Sequence, residues 1–239
     1  MRRVLITALA ICVAGSLFAQ DSTARKMITP RKLLPNDHFM IQLGANSWSG
    51  KPDSIKTGGL PRTFNMYVML DFPFKTNPQL SVAIGPGIAT DNMYFDKMTV
   101  GIKDPTGTIR FHNVADTIHF KKYKLSTAFL EAPVELRFSS KPEDNGKSFK
   151  VAVGAKVGTL LSAWTKAKGQ QNSTGNQVNT AIIKEKSKQF FNTTRLSLTG
   201  RLGLGHFSLF GSYALTPLFK EGFGPKVQPV SIGLTISGL

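Results

Sequence analysis

The sequence predicts an all-β protein: an eight-stranded antiparallel up-and-down transmembrane β-barrel with a cleaved N-terminal signal peptide. Three observations carry that reading. Eight segments after residue 35 alternate apolar residues with small or polar ones, the turns between them are alternately long and short, and the chain opens with an export signal.

The signal comes first. Arg2 and Arg3 precede an apolar run from Val4 to Ala14, and Ala19-Gln20 offers a cleavage point, so residues 1–19 read as a secretory signal peptide. The run is too short for a membrane-spanning helix, which needs about 20 apolar residues, and no later stretch is long and apolar enough. Cys12, the single cysteine, lies inside the signal, so the mature chain is expected to hold no disulfide and no cysteine-ligated metal. A lipoprotein signal would want a small residue where Ile11 stands. Residues 20–36 are polar and basic, with Pro30 and Pro35, and read as a flexible periplasmic lead-in. Residues 37–239 read as one outer-membrane β-barrel, because no Pro/Gly/Ser-rich linker divides them.

Strands are expected near residues 38–48, 63–74, 79–96, 123–138, 148–164, 190–204, 206–217 and 228–237. The second is the clearest: Phe64, Met66, Val68, Leu70, Phe72 and Phe74 share one face, and Asn65, Tyr67, Met69, Asp71 and Pro73 the other. Period two is the signature of a strand. The split recurs at Leu196, Leu198, Leu202 and Leu204, and again at Val230, Ile232, Leu234 and Ile236. In the fourth strand Leu130, Ala132, Val134, Leu136 and Phe138 are out of phase with Leu125, Thr127 and Phe129, which predicts either a β-bulge near 129–130 or a locally mixed face.

Eight is even, as closure of an up-and-down bacterial barrel requires. The connections at 75–78, 139–147 and 205–206 are short, whereas those at 49–62, 97–122, 165–189 and 218–227 are longer. With the amino terminus in the periplasm, every short turn falls inside and every long loop outside. Trp48, Phe64, Tyr94, Phe95, Tyr123, Trp164, Phe190, Phe191 and Phe219 cluster at the outer strand ends, and Phe39, Phe72, Phe74, Phe138, Phe149 and Phe207 at the inner ends. Two aromatic girdles at the membrane interfaces are the expectation.

Alternation turns Asp71, Glu131, Glu135, Arg137, Lys156, Arg195 and Arg201 inward. The interior of an eight-stranded barrel is just wide enough for side chains to fill. These charges are therefore expected to pair across the lumen as a structural network, since a charge buried singly is costly. The result is a plug; a proton or ion path along the same charges is the functional alternative.

No catalytic, cofactor-binding or metal-ligating residue is expected. Glu131 and Glu135 point the same way in a strand but lie about 13 Å apart along it, beyond the roughly 5–9.5 Å that a glycosidase pair uses. His112, Asp116 and His119 lack a further ligand at a familiar spacing. Gly200, Gly203 and Gly205 imitate half of a dinucleotide fingerprint, with no helix to follow. The formal charge is +16, and taking Arg2 and Arg3 from the 30 basic residues leaves 28 against 14 acidic ones. Nucleic acid is not the expected partner, because the cations are scattered through loops without interleaved stacking aromatics. Outer-membrane lipid and lipopolysaccharide are, together with a protein partner reached through loops 97–122 and 165–189. Within the second, Gly169 to Thr180 reads by composition as a mobile exposed loop.

The segment Thr127-Ala128-Phe129-Leu130-Glu131-Ala132-Pro133-Val134-Glu135-Leu136-Arg137-Phe138 resembles the fourth-strand "YLEIP" segment of PorT-like outer-membrane β-barrel proteins, with Phe129 for the tyrosine and Ala132 for the isoleucine. Ile84-Gly85-Pro86-Gly87-Ile88 and Val153-Gly154-Ala155-Lys156-Val157-Gly158 sit where that family has glycine-rich strands, and the chain ends on Leu239 instead of an aromatic. The resemblance implies an integral outer-membrane protein, and the family's namesake is associated with protein secretion and gliding. The expected protein is a non-enzymatic barrel with an envelope-structural or partner-binding role. Two alternatives remain: a secreted soluble lipocalin-like barrel with its greasy face turned inward on an apolar ligand, and an outer-membrane lipid-modifying enzyme.

Overall fold

The structure, a computed structural model, describes residues 39–105 and 107–238. The expected signal peptide and lead-in lie outside the described residues. The strands are β1 (Phe39–Ser49), β2 (Arg62–Val68), β3 (Leu70–Pro73), β4 (Leu80–Ile84), β5 (Gly87–Phe95), β6 (Met98–Gly101), β7 (Arg110–Asn113), β8 (His119–Ser139), β9 (Phe149–Gln171), β10 (Gln177–Lys186), β11 (Thr194–Leu204), β12 (Phe207–Ala214) and β13 (Gln228–Ser237).

β2 and β3 are two halves of one strand broken at Met69, and β4 and β5 are halves of the next, broken at Gly85-Pro86. Counted so, eight antiparallel strands close into a ring that runs β9, β11, β12, β13, β1, β2/β3, β5/β4, β8 and back to β9. First and last strands meet along β1 and β13, from Met40 opposite Ser237 to Ser49 opposite Gln228. A closed ring matters because it gives every barrel strand a neighbour on both sides; among the described residues of the ring only the short β3, beyond the start of β1, is paired on one side alone. Pro133 shows how a residue without an amide hydrogen fits inside it. Its carbonyl accepts from Gly85 N–H at 3.4 Å, so it faces the gap between β4 and β5, where the ladder is already interrupted.

Two features of the long-loop end were not expected. β6 and β7 form a hairpin within the second long loop. β10 pairs with the outer part of β9, from Gln177 opposite Gln171 to Lys186 opposite Trp164. The segment read as a mobile loop over 169–180 is therefore mostly the tip of a long hairpin, turning at residues 172–176. β9 continues because both its edges find partners, β8 on one side as far as His119 opposite Gln171 and β10 on the other. Polar composition suits such a two-sided exposed ribbon as well as it suits a loop.

The bulge lies on a neighbouring strand. In β8 Leu125, Thr127, Phe129, Glu131, Glu135 and Arg137 are all buried with one parity, so that strand has no phase break. In β9, Leu160 lies opposite Phe129 and Ser162 opposite Ala128, which leaves Leu161 as the extra residue. The inward parity of β9 accordingly passes from Leu160 to Ala163. What changes along β8 is the chemistry of its inward face, from apolar to charged.

The outward face of the ring is apolar. Leu43, Phe64, Met66, Val68, Val134, Leu136, Leu198, Leu209, Ile232 and Leu234 are all exposed on it, Ile232 to 67%. Gln42, Asn65, Glu131, Glu135 and Thr235 are buried inside. The lipocalin-like alternative needs the opposite orientation and does not hold.

At the short-turn end Phe39, Phe72, Phe74, Phe149 and Phe207 are exposed, as expected, whereas Phe138 is half-buried. The long-loop end differs. Phe64, Tyr94 and Trp164 face outward, but Trp48, Phe95, Tyr123, Phe190, Phe191 and Phe219 are buried. They join Ile55, Met98, Val100, Ile102 and Ile109 in one apolar core. Trp48 meets Phe95, Phe111 and Phe219 at centroid distances of 5.7, 6.5 and 5.9 Å, all edge to face. These rings stand on inward-parity positions or in loops that fold over the mouth, so burial against one another wins over a place in the girdle.

Placing arginine at Ile232 should cost about 2–4 kcal/mol if the site lies near mid-bilayer. Urea titration of the variant folded in lipid vesicles measures it, and an unchanged midpoint would contradict a lipid-facing Ile232.

Candidate functional site

The charged lumen is built on one row of the sheet. Tyr67 on β2 lies opposite Gly87 on β5, Gly87 opposite Glu131 on β8, Glu131 opposite Gly158 on β9, and Gly158 opposite Arg195 on β11. Large polar groups thus alternate with glycines. A Cβ on Gly87 would come within 2.2 Å of the Tyr67 ring, and one on Gly158 within 2.8 Å of Glu131 Cγ. Over these gaps Tyr67 Oη donates to Glu131 Oε2 at 2.7 Å, and Arg195 Nε donates to Glu131 Oε1 at 2.8 Å. Arg195 also donates to Asp91 and stacks its guanidinium 3.9 Å from the centroid of the Phe129 ring.

A second cluster lies toward the short turns. Glu135 accepts from Arg201 Nη2 at 2.6 Å and from Arg137 Nε at 3.0 Å. Ala152 separates the two arginines on their shared row. Arg137 Nη1 stands 3.9 Å from Asp71 Oδ1, close enough for charge attraction and too long for a hydrogen bond. Between the clusters, Lys156 Nζ donates to Tyr67 Oη at 3.3 Å and to Gln42 Oε1 at 3.2 Å. Gln42 also accepts from Asn65 and donates to Thr235, each at 3.2 Å.

All seven residues singled out from the sequence therefore face the lumen, with Asp71 the least buried. The sequence reading missed Asp91 and the neutral bridge of Tyr67, Gln42 and Asn65. With Asp91 included, four carboxylates (Asp71, Asp91, Glu131, Glu135) meet four cations (Arg137, Lys156, Arg195, Arg201). The open space left beside Asp91, Glu131, Lys156 and Arg195 is about 20 Å³, on the scale of a single water. Such a site holds charge in place and leaves little room for a substrate.

Elsewhere, His112 Nε2 lies 3.2 Å from Asp104, His119 Nδ1 lies 3.4 Å from the Thr117 carbonyl, and His206 Nδ1 lies 3.0 Å from the Ser237 carbonyl. None of these contacts is a serine–histidine pair. Among the described residues no three His, Cys, Asp or Glu side chains are grouped to hold a metal.

An apolar exterior around an ion-paired interior defines a membrane-spanning β-barrel. Residues 34–220 match the family model described as outer membrane protein beta-barrel domain, and the chain belongs to that family. It is an outer-membrane protein. No curated protein matches it. Similar solved structures include Ail, the attachment invasion locus protein of Yersinia pestis, at 16% identity and TM-score 0.37, over 83% of this chain and 94% of that one. Ail in complex with the heparin analogue sucrose octasulfate gives 14% and 0.36 over the same shares. A mutant porin of Rh. blastica gives 7% and 0.21, over 83% of this chain and 98% of its own.

Glu135→Gln leaves Arg137 and Arg201 without their shared counter-charge and should cost about 3–5 kcal/mol. Gly158→Val should be comparably damaging, because it fills the gap that the Glu131–Arg195 pair crosses. Urea unfolding in vesicles reads both, and a Gly158→Val barrel as stable as the parent would refute the row.

Proposed function

We propose that this protein is a closed, non-enzymatic outer-membrane barrel, exported on the signal at 1–19, that anchors the structures at its outer end. The observation that carries the reading is double closure: the ion-paired lumen lies beneath an apolar core made by Trp48, Phe95, Phe191, Phe219 and the loop residues above them. The β6–β7 hairpin lends Met98, Val100 and Phe111 to that stopper, and beyond it stands the β9–β10 hairpin, whose Val178, Ile182 and Ile183 are exposed. These lie within the two loop regions expected to meet a protein partner. β10 pairs only with β9 among the described residues, and an exposed strand edge of this kind is a template for strand addition.

The PorT-like resemblance of Thr127 to Phe138 supports a setting in protein secretion. In that setting the barrel acts beside a transport path, since its own lumen is filled. Normal secretion in a strain lacking the protein would remove this part of the proposal and leave the closed barrel standing.

Purified full-length protein in planar bilayers should show no discrete conductance steps at moderate voltage. Regular, cation- or anion-selective openings would overturn the reading.

A further inference from the structure

The outward face at the long-loop end gathers cations in register. Lys124 on β8 lies directly opposite Lys166 on β9, and Lys166 directly opposite Lys184 on β10. One step farther out Lys122 lies opposite Lys168. One step toward the membrane, Lys186 lies opposite Trp164 and Arg62 opposite Asn92. Neighbouring strands are about 4.8 Å apart, so the central row packs three ammonium-bearing residues into about 10 Å.

Like charges directly opposite one another destabilise a sheet. No carboxylate of the described residues forms an ion pair with any of these side chains. Glu185, between Lys184 and Lys186, has the opposite parity, and Asp96 lines a surface hollow that it shares with Arg62, Tyr94 and Lys122. Lys124 Nζ is held by Asn92 Oδ1 at 2.7 Å, and it lies 5.9 Å from the Tyr94 ring centroid. Lys184 Nζ lies 5.4 Å from the Trp164 ring centroid. Lys124 and Lys184 are thus held in place, and the row has no ion-paired carboxylate.

Its height identifies the missing anion. A hydrocarbon belt about 25 Å tall, crossed by strands tilted about 40°, takes about ten residues of β8. Counted from Phe138 that ends at Ala128, and Lys124 and Lys122 follow at headgroup level, beside the outward rings Tyr94 and Trp164. We propose that the Lys124–Lys166–Lys184 row, flanked by Lys122, Lys168 and Arg62, binds the phosphate groups of an outer-leaflet glycolipid. This goes beyond the closed-barrel reading and rests only on the orientation of the barrel in the membrane.

The test uses the purified full chain in zwitterionic micelles, titrated with bisphosphorylated lipid A and with its dephosphorylated form, and read by native mass spectrometry. Phosphorylated lipid should bind roughly tenfold or more tightly than the dephosphorylated one. The combined variant Lys124→Gln, Lys166→Gln, Lys184→Gln should lose that preference, and its arginine counterpart should keep it. A control with Lys51→Gln, Lys97→Gln and Lys220→Gln should behave as the parent. In micelles without lipid A the glutamine variant should melt no lower than the parent, which shows that it folds. Equal binding of both lipids, or equal loss in the control, would overturn the proposal. So would displacement of the lipid by millimolar inorganic phosphate, which would mark a site for soluble anions. Each result leaves the conductance of the barrel, and so the closed-barrel reading, to be judged separately.

Discussion

The structure depends on a carboxylate reaching a guanidinium across an intervening strand. β8 and β11 are not neighbours, yet Glu131 pairs with Arg195 and Glu135 with Arg201 over β9. Charges excluded from hydrocarbon must go inward, and inward they must be matched. Gly158 beneath the first pair, and Gly154 and Ala152 beneath the second, make the matching possible by keeping the strand between the partners low. The fold is therefore held to one register, because a slip of one residue would put a side chain beneath the ion pair and turn the apolar belt into the lumen.

The interior has two layers with different chemistry. The lower layer is polar, its four carboxylates balanced by four cations in shared contacts, while the upper is an aromatic and aliphatic stopper completed by loops. Outside these layers the molecule carries a long hairpin and a basic flank on the outward face of its long-loop end.

Much of this was legible in the sequence, for a physical reason. Period-two alternation reports faces directly, so the strands and the seven inward charges could be placed from runs such as Phe64 to Phe74 and Leu196 to Leu204. Asp91 escaped because its strand does not separate by hydropathy: the outward set includes Thr90 and Asn92, while the inward set includes Met93 and Phe95. The outer aromatics escaped for a related reason. Their rings have apolar bodies that fit a girdle or a core equally well, and only the loops, which carry no periodicity, decide between the two. The phase change near Phe129 has a structural counterpart, but it marks a change of lining in β8 and a bulge across from it at Leu161.

The stopper draws on parts of the chain that are far apart in sequence: Trp48 at the end of β1, Phe95 at the end of β5, Phe111 from β7 and Phe219 shortly before β13. Trp48 and Phe219 come together only where the first and last strands have joined. The stopper is therefore sewn from residues that only the closed ring brings within reach of one another.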